Sequence, residues 1–158
     1  MMEKLRKIMK KISCALPWMV LAAVYVLMVG YFALYGAHNL NADDSSEMVL
    51  AAQLNEEGKF LSENWLYSTE LRVISPVPLY QLGLRLFDSW HAARTFAQAI
   101  VLLGIAASGL FLVRQAGVQT SAPLVTAILL LPFSFEYTYI MLLGCYYSVH
   151  LILSLIIL

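Results

Sequence analysis

Charge is scarce in this chain. Only 13% of its 158 residues are Asp, Glu, Lys or Arg, against 61% apolar. Soluble domains run at about 25% charged and roughly 45–50% apolar. So few charges exclude an ordinary water-soluble surface and point to lipid as the solvent. Cysteine is scarce too, with only Cys14 and Cys145. Both lie in or beside apolar blocks, so no disulfide framework is implied. His38, His91 and His150 stand far apart, and neither a CxxC nor an HExxH pattern occurs. The sequence therefore specifies no metal site and no cofactor, although it does not exclude a divalent ion.

What charge there is lies unevenly, within a formal net charge of zero. Lys4, Arg6, Lys7, Lys10 and Lys11 face a single acid, Glu3, in residues 1–13, whereas residues 37–95 hold eight acids and four bases. A basic tail ahead of an apolar span reads as a positive-inside signal rather than a nucleic-acid arm, so no nucleic-acid partner is expected.

The first apolar block, Cys14–Gly36, has 23 residues without a charge. At about 1.5 Å per residue it reaches about 34 Å, enough for a hydrocarbon core of roughly 30 Å. Lipid offers its backbone no partners, so it must be helical. Pro17 fits near the helix start. Trp18 and the pair Tyr31 and Tyr35 fit the two interfaces. A cleaved signal peptide has a shorter apolar core and a small-residue cleavage site, so an uncleaved span is expected. With the tail in the cytoplasm, residues 37–95 fall outside.

A second span is expected over 96–113, with Gly104, Ala107 and Ser108 as a small-residue patch for close helix approach. Arg114 closes it on the inner side, and a short turn over 114–121 contains Gly117. A third span is expected over 122–135, kinked or ended by Pro132. Glu136 then follows in an outer turn, 136–139, with Tyr137 and Tyr139. A fourth, 140–158, contains His150 among Tyr146, Tyr147 and Ser148, and the sequence ends inside it, which leads to the expectation of a truncated chain. Glu136 and His150 are functional if they lie within the membrane and ordinary polar residues if they do not. The expected fold class is all-α: a polytopic transmembrane protein of the cell membrane, N-terminus cytoplasmic, with membrane-surface helices in a long extracytoplasmic first loop.

That loop, 37–95, is far longer than a connection requires. A helix is expected over 46–57, with Val49, Leu50, Ala51 and Leu54 as its apolar stripe and Gly58 at its C-terminal cap. Asp44 fits its N-terminal cap, with Glu47 as the reciprocal member. Asp43 is not needed for such a cap. The next stretch sets Trp65 and Tyr67 beside Glu63 and Glu70, a pattern that suits a sugar ring and equally suits an interface belt. Arg72 can pair with Glu70 or grip a phosphate. Pro76 and Pro78 break the chain, and a second surface helix follows in which Leu79, Leu82 and Leu86 share a face. Arg94 at the entrance of the next span fits interface snorkelling.

The string ADDSSEMVLAAQLNEEGKFLSENWLYSTEL, behind a basic tail and one span, resembles the first loop of C-type integral-membrane glycosyltransferases. These enzymes are broadly similar to protein mannosyltransferases and the aminoarabinose transferases of bacterial lipid A. The resemblance covers almost the whole chain but only about a third of a usual family member. It implies membrane-parallel helices in the loop and a catalytic carboxylate soon after the first span, here Asp43 or Asp44. It also implies a sugar donor on a polyprenyl phosphate, within a membrane-lipid setting. Glu47, Trp65, Tyr67, Glu70, Arg72 and Arg94 are the substrate-side candidates, the arginines for the donor phosphate. The family needs many more spans to enclose that donor, so the chain alone is expected to be inactive. Alternatives are a segment of a multi-span transporter or flippase, or a small structural membrane protein.

Overall fold

The computed structural model describes residues 2–67, 75–139 and 147–158. The described chain is helical, without a strand among the described residues. Helix α1 covers Met2–Tyr35, and a 3-10 turn, Gly36–Asn39, leads into α2, Ala42–Glu57. Helices α3, Val77–Leu86, and α4, Trp90–Gln115, follow, then α5, Ala122–Leu129, and α6, Ser148–Ile157.

Two segments are long and apolar enough to cross a membrane: Ile12–His38, of 27 residues, and Trp90–Gln115, of 26. The first extends the expected span slightly at both ends. The second starts six residues earlier than the sequence pattern indicates, because Ser89 caps it by accepting a hydrogen bond from the Ala92 backbone N–H. His91 and Arg94 are therefore helical residues rather than loop residues.

Helices α1 and α4 run antiparallel, as three contacts along their length record. The Trp18 ring lies 5.4 Å from the Arg114 guanidinium. The Tyr25 hydroxyl donates to the Ala99 carbonyl at 3.0 Å. His91 Nε2 donates to the Ala33 carbonyl at 2.7 Å. The first contact marks one end of the pair, and the last marks the end that carries α2 and α3.

The apolar interior falls into two clusters. One joins Leu21 and Met28 of α1, Val101, Leu102, Ile105 and Ala106 of α4, Ala127 and Leu130 from α5 and its cap, and Leu155 of α6. Small residues let these helices close up. A Cβ on Gly109 would meet Leu129 at 2.8 Å, and one on Gly104 would meet Ile152 at 2.7 Å. Ser108 is buried and bonds back to the Gly104 carbonyl, whereas Ala107 of the expected small-residue patch is exposed. The other cluster joins Met48, Leu50, Ala51 and Leu54 of α2, Val77 and Tyr80 of α3, and Ala93 and Ala97 of α4. Helix α4 thus belongs to both.

The third expected span is only partly helical. Helix α5 has 8 residues, about 12 Å at the usual rise, and stops before Pro132. Helical turns resume at 135–139. Glu136 is exposed there, as is His150 in α6, whose ring meets Tyr147 edge-on at 5.8 Å. The first residues of the expected fourth span, with Cys145 and Tyr146, lie outside the described residues.

Candidate functional site

The sequence candidates lead to the N-terminal end of α2. This helix starts at Ala42, four residues before its expected start, because Asn41 and not Asp44 is the cap. Asn41 has extended backbone, and its side-chain oxygen accepts from the Asp44 N–H at 2.8 Å. Asp44 is thereby placed inside the first turn, free to point sideways. The far end conforms to expectation. Gly58 takes a left-handed φ of 64° and its N–H bonds the Leu54 carbonyl, a conformation that glycine adopts without steric cost.

The buried face of α2 reads Asp44, Glu47, Met48, Ala51, Leu54, the three-and-four spacing of one helix side. Two carboxylates therefore open a stripe that is otherwise apolar. Leu50 is buried beside it, but Val49, expected on the stripe, is exposed. Asp43 and Asp44 point to different surroundings. Asp43 is exposed, and its backbone carbonyl accepts from the Ser46 hydroxyl at 2.8 Å. Asp44 is 1% exposed.

Asp44 faces Arg94 of α4, itself 3% exposed. The guanidinium NH2 donates to Asp44 Oδ2 at 3.1 Å. Its NH1 donates to the Gly36 carbonyl at 3.3 Å, just past the C-terminus of α1. Its carbon stands 5.3 Å from the centre of the Phe32 ring, which His91 stacks against at 6.3 Å. Arg94 Nε and Asp44 Oδ1 have no hydrogen-bond partner among the described residues. Burial pushes the Asp44 carboxyl up from 3.8 to about 6, although Arg94 and the backbone N–H of Asn41 act the other way. Removing one member of a buried pair strands the other charge and costs about 3–5 kcal/mol.

The aromatic candidates belong to the other end of α2. The Tyr67 hydroxyl accepts from the Ser62 N–H at 2.8 Å, and the Ser62 hydroxyl donates to Glu57 at 2.7 Å. Glu57 also accepts from Gln53, and these two hydrogen bonds hold its carboxyl below its ordinary value. Trp65 is half-buried against the α2–α3 cluster. Thirteen residues of helix separate Asp44 from Glu57, about 20 Å along the axis. The structure thus brings Asp44, Glu47 and Arg94 to one region and sets Trp65 and Tyr67 apart from it. Glu70 and Arg72 lie outside the described residues.

No family model, no curated protein and no solved structure matches the chain.

Among the described residues no group of three or more His, Cys, Asp or Glu is arranged to hold a metal ion. Chemically, the N-terminal end of α2 offers one solvent-facing carboxylate at Asp43, a proton acceptor by type. Behind it stand a carboxylate and a guanidinium committed to each other. In the sequence Arg94 fits a phosphate contact or an interface cation, and its pairing with Asp44, fifty positions away, leaves no local signal. Phe32 and Gly36, which complete the arginine's surroundings, were not anticipated either.

Proposed function

We propose that this chain is part of a membrane glycosyltransferase, multi-pass in the cell membrane, that moves a sugar from a polyprenyl-phosphate donor to an acceptor outside the cell. Helices α2 and α3 lie on the outer side and the N-terminus in the cytoplasm. Asp43 is the general base. It takes the proton of an acceptor hydroxyl as that oxygen bonds to the anomeric carbon and the lipid phosphate leaves with the electrons of the broken C–O bond. The leaving group is already an anion, so no second carboxylate is needed to protonate it.

The observation that carries this reading is the division between two adjacent acids. Asp44 is closed in against Arg94, while Asp43 stands exposed on the same turn. A base must be within hydrogen-bond reach of its substrate and able to accept a proton, which selects Asp43 over Asp44. The basic tail and the polar turn ending α4 supply the orientation argument. The resemblance of residues 42–71 to the family's first loop supplies the donor class.

The test replaces Asp43 and Asp44 separately with Asn in membranes of cells expressing the gene. Sugar transfer is measured from polyprenyl-phosphate glucose, mannose and galactose, with protein level followed in parallel. Asp43→Asn should lower transfer by about 10²–10⁴-fold at normal abundance, the usual contribution of a positioned base. Full transfer by Asp43→Asn would remove it from the mechanism. Failure of the unaltered protein with every donor would count against the donor class.

A further inference from the structure

Arg94 connects three segments that are distant in sequence. It rises from the second turn of α4, takes the Gly36 carbonyl at the end of α1 with one nitrogen and the Asp44 carboxylate in α2 with another, and lies over Phe32. Two directed bonds from one planar fork, plus a ring face, suit arginine and not lysine, whose ammonium is a point charge without a preferred plane. The carboxylate of Asp43 has no hydrogen-bond partner of its own among the described residues. Its location is therefore set by the backbone of the α2 first turn, and that turn is held by Asn41 at the cap and by Asp44 on the arginine.

We propose that Arg94 is a positioning residue: by gripping Asp44 and the Gly36 carbonyl together it fixes the first turn of α2 against α1 and α4, and so sets where Asp43 stands. The grip on α2 follows from the contacts alone. Its effect on sugar transfer rests on the glycosyltransferase reading. The assignment differs from a donor-phosphate role for Arg94, since both of its terminal nitrogens are already engaged inside the protein.

The experiment uses the full-length gene product in membranes, with its native cysteines, Cys14 and Cys145 among them, changed to Ser and spin labels at Ala42→Cys and Val118→Cys. Ala42 is an exposed residue beside the clasp, and Val118 an exposed one beyond the opposite end of α4. The distance distribution between the labels reports how firmly the α2 first turn is held. Arg94→Gln should broaden it at least twofold, and Asp44→Asn should broaden it too. With polyprenyl-phosphate sugar as the probe, Arg94→Gln should lower kcat at least tenfold and leave the donor KM within twofold of the unaltered protein. An unbroadened distribution in Arg94→Gln overturns the proposal. So does a raised donor KM with kcat intact, the mark of a phosphate ligand. If Arg94→Gln does not accumulate, the double variant Asp44→Asn/Arg94→Gln, which strands no charge, takes its place under the same criteria. Broadening in a protein that transfers nothing, the unaltered chain included, upholds the clasp on α2 and counts against the transferase reading alone.

Discussion

Asn41 and Tyr139, 98 positions apart in sequence, are joined by a 2.8 Å hydrogen bond from the Asn41 side-chain nitrogen to the tyrosine hydroxyl. The oxygen of the same amide accepts from the Asp44 N–H. One side chain thus caps α2 and ties it to the segment that follows α5. Asn41→Ala loses both functions and should lower stability by about 1 kcal/mol for the cap and further for the lost tie. Asn41→Ser keeps a capping oxygen but is too short to reach Tyr139. Unfolding midpoints in detergent should therefore fall in the order unaltered, Asn41→Ser, Asn41→Ala. Equal midpoints for all three would show that neither bond matters.

Gly83 and Gly30 make a matched pair for a packing test. A Cβ on Gly83 would lie 2.8 Å from the Ala93 carbonyl oxygen and 3.0 Å from its Cα, both backbone atoms. Gly83→Ala should force α3 from α4 at a loss of about 1–3 kcal/mol. Around Gly30 nothing lies within 4 Å of that position, so Gly30→Ala should be neutral or gain up to about 1 kcal/mol from helix propensity. A melting temperature that falls for Gly30→Ala and holds for Gly83→Ala would contradict the α3–α4 contact.

The reading of α3 from sequence illustrates what a single sequence conceals. Leu79, Leu82 and Leu86 look like the packing face. Yet Val77, Tyr80, Gln81 and Gly83 are the buried residues; Leu79 is half-buried against both clusters, while Leu82 and Leu86 are exposed. In water, leucines mark the inside. In α3 the leucine spacing does not mark the packed side; the close approach of Gly83 to the Ala93 backbone decides which face packs. Helix α2 was more legible, since Leu50, Ala51, Leu54 and the terminal Gly58 all follow from spacing. Its start is less legible because a carboxylate and an asparagine cap equally well: the spacing suits Asp44, whereas the structure uses Asn41. The Asp44–Arg94 pair is a long-range contact, and no local pattern encodes one. Nothing in the sequence distinguishes Asp43 from Asp44 until that arginine is placed.

Acidity should act through Asp44. Its folded value, about 6, lies above the ordinary 3.8, so the folded protein binds this proton more tightly than the unfolded chain. The stabilisation that follows is complete below about pH 4 and is lost as pH rises through 6. Chemical denaturation at pH 5 and at pH 7.5 should therefore show Asp44 favouring the acidic condition. Asp44→Asn removes that contribution, so the stability gained on acidification should be smaller in the variant. An identical change in both proteins would place the carboxyl's value in the normal range.

Orientation can be read by labelling. Phe60→Cys lies in the exposed loop after α2, and Val118→Cys in the turn after α4. In intact cells, with Cys14 and Cys145 replaced, an impermeant maleimide should modify position 60 at once and position 118 only after the membrane is opened. The reverse pattern would invert the proposed topology.

Helix α4 contributes Ala93 and Ala97 to one apolar cluster and Val101 to Ala106 to the other, and this sharing dictates an order of assembly. Met48 and Leu54 leave the ribosome well before the α4 alanines of the same cluster. The 45 positions from Met48 to Ala93 take about 2–9 s to make at ~5–20 residues per second. Within that interval α3 supplies Val77 and Tyr80 of the same cluster, but Asp44 has no arginine until α4 is made. The clasp between Asp44 and Arg94 therefore closes after α2 and α3 can meet, once the second long helix has arrived.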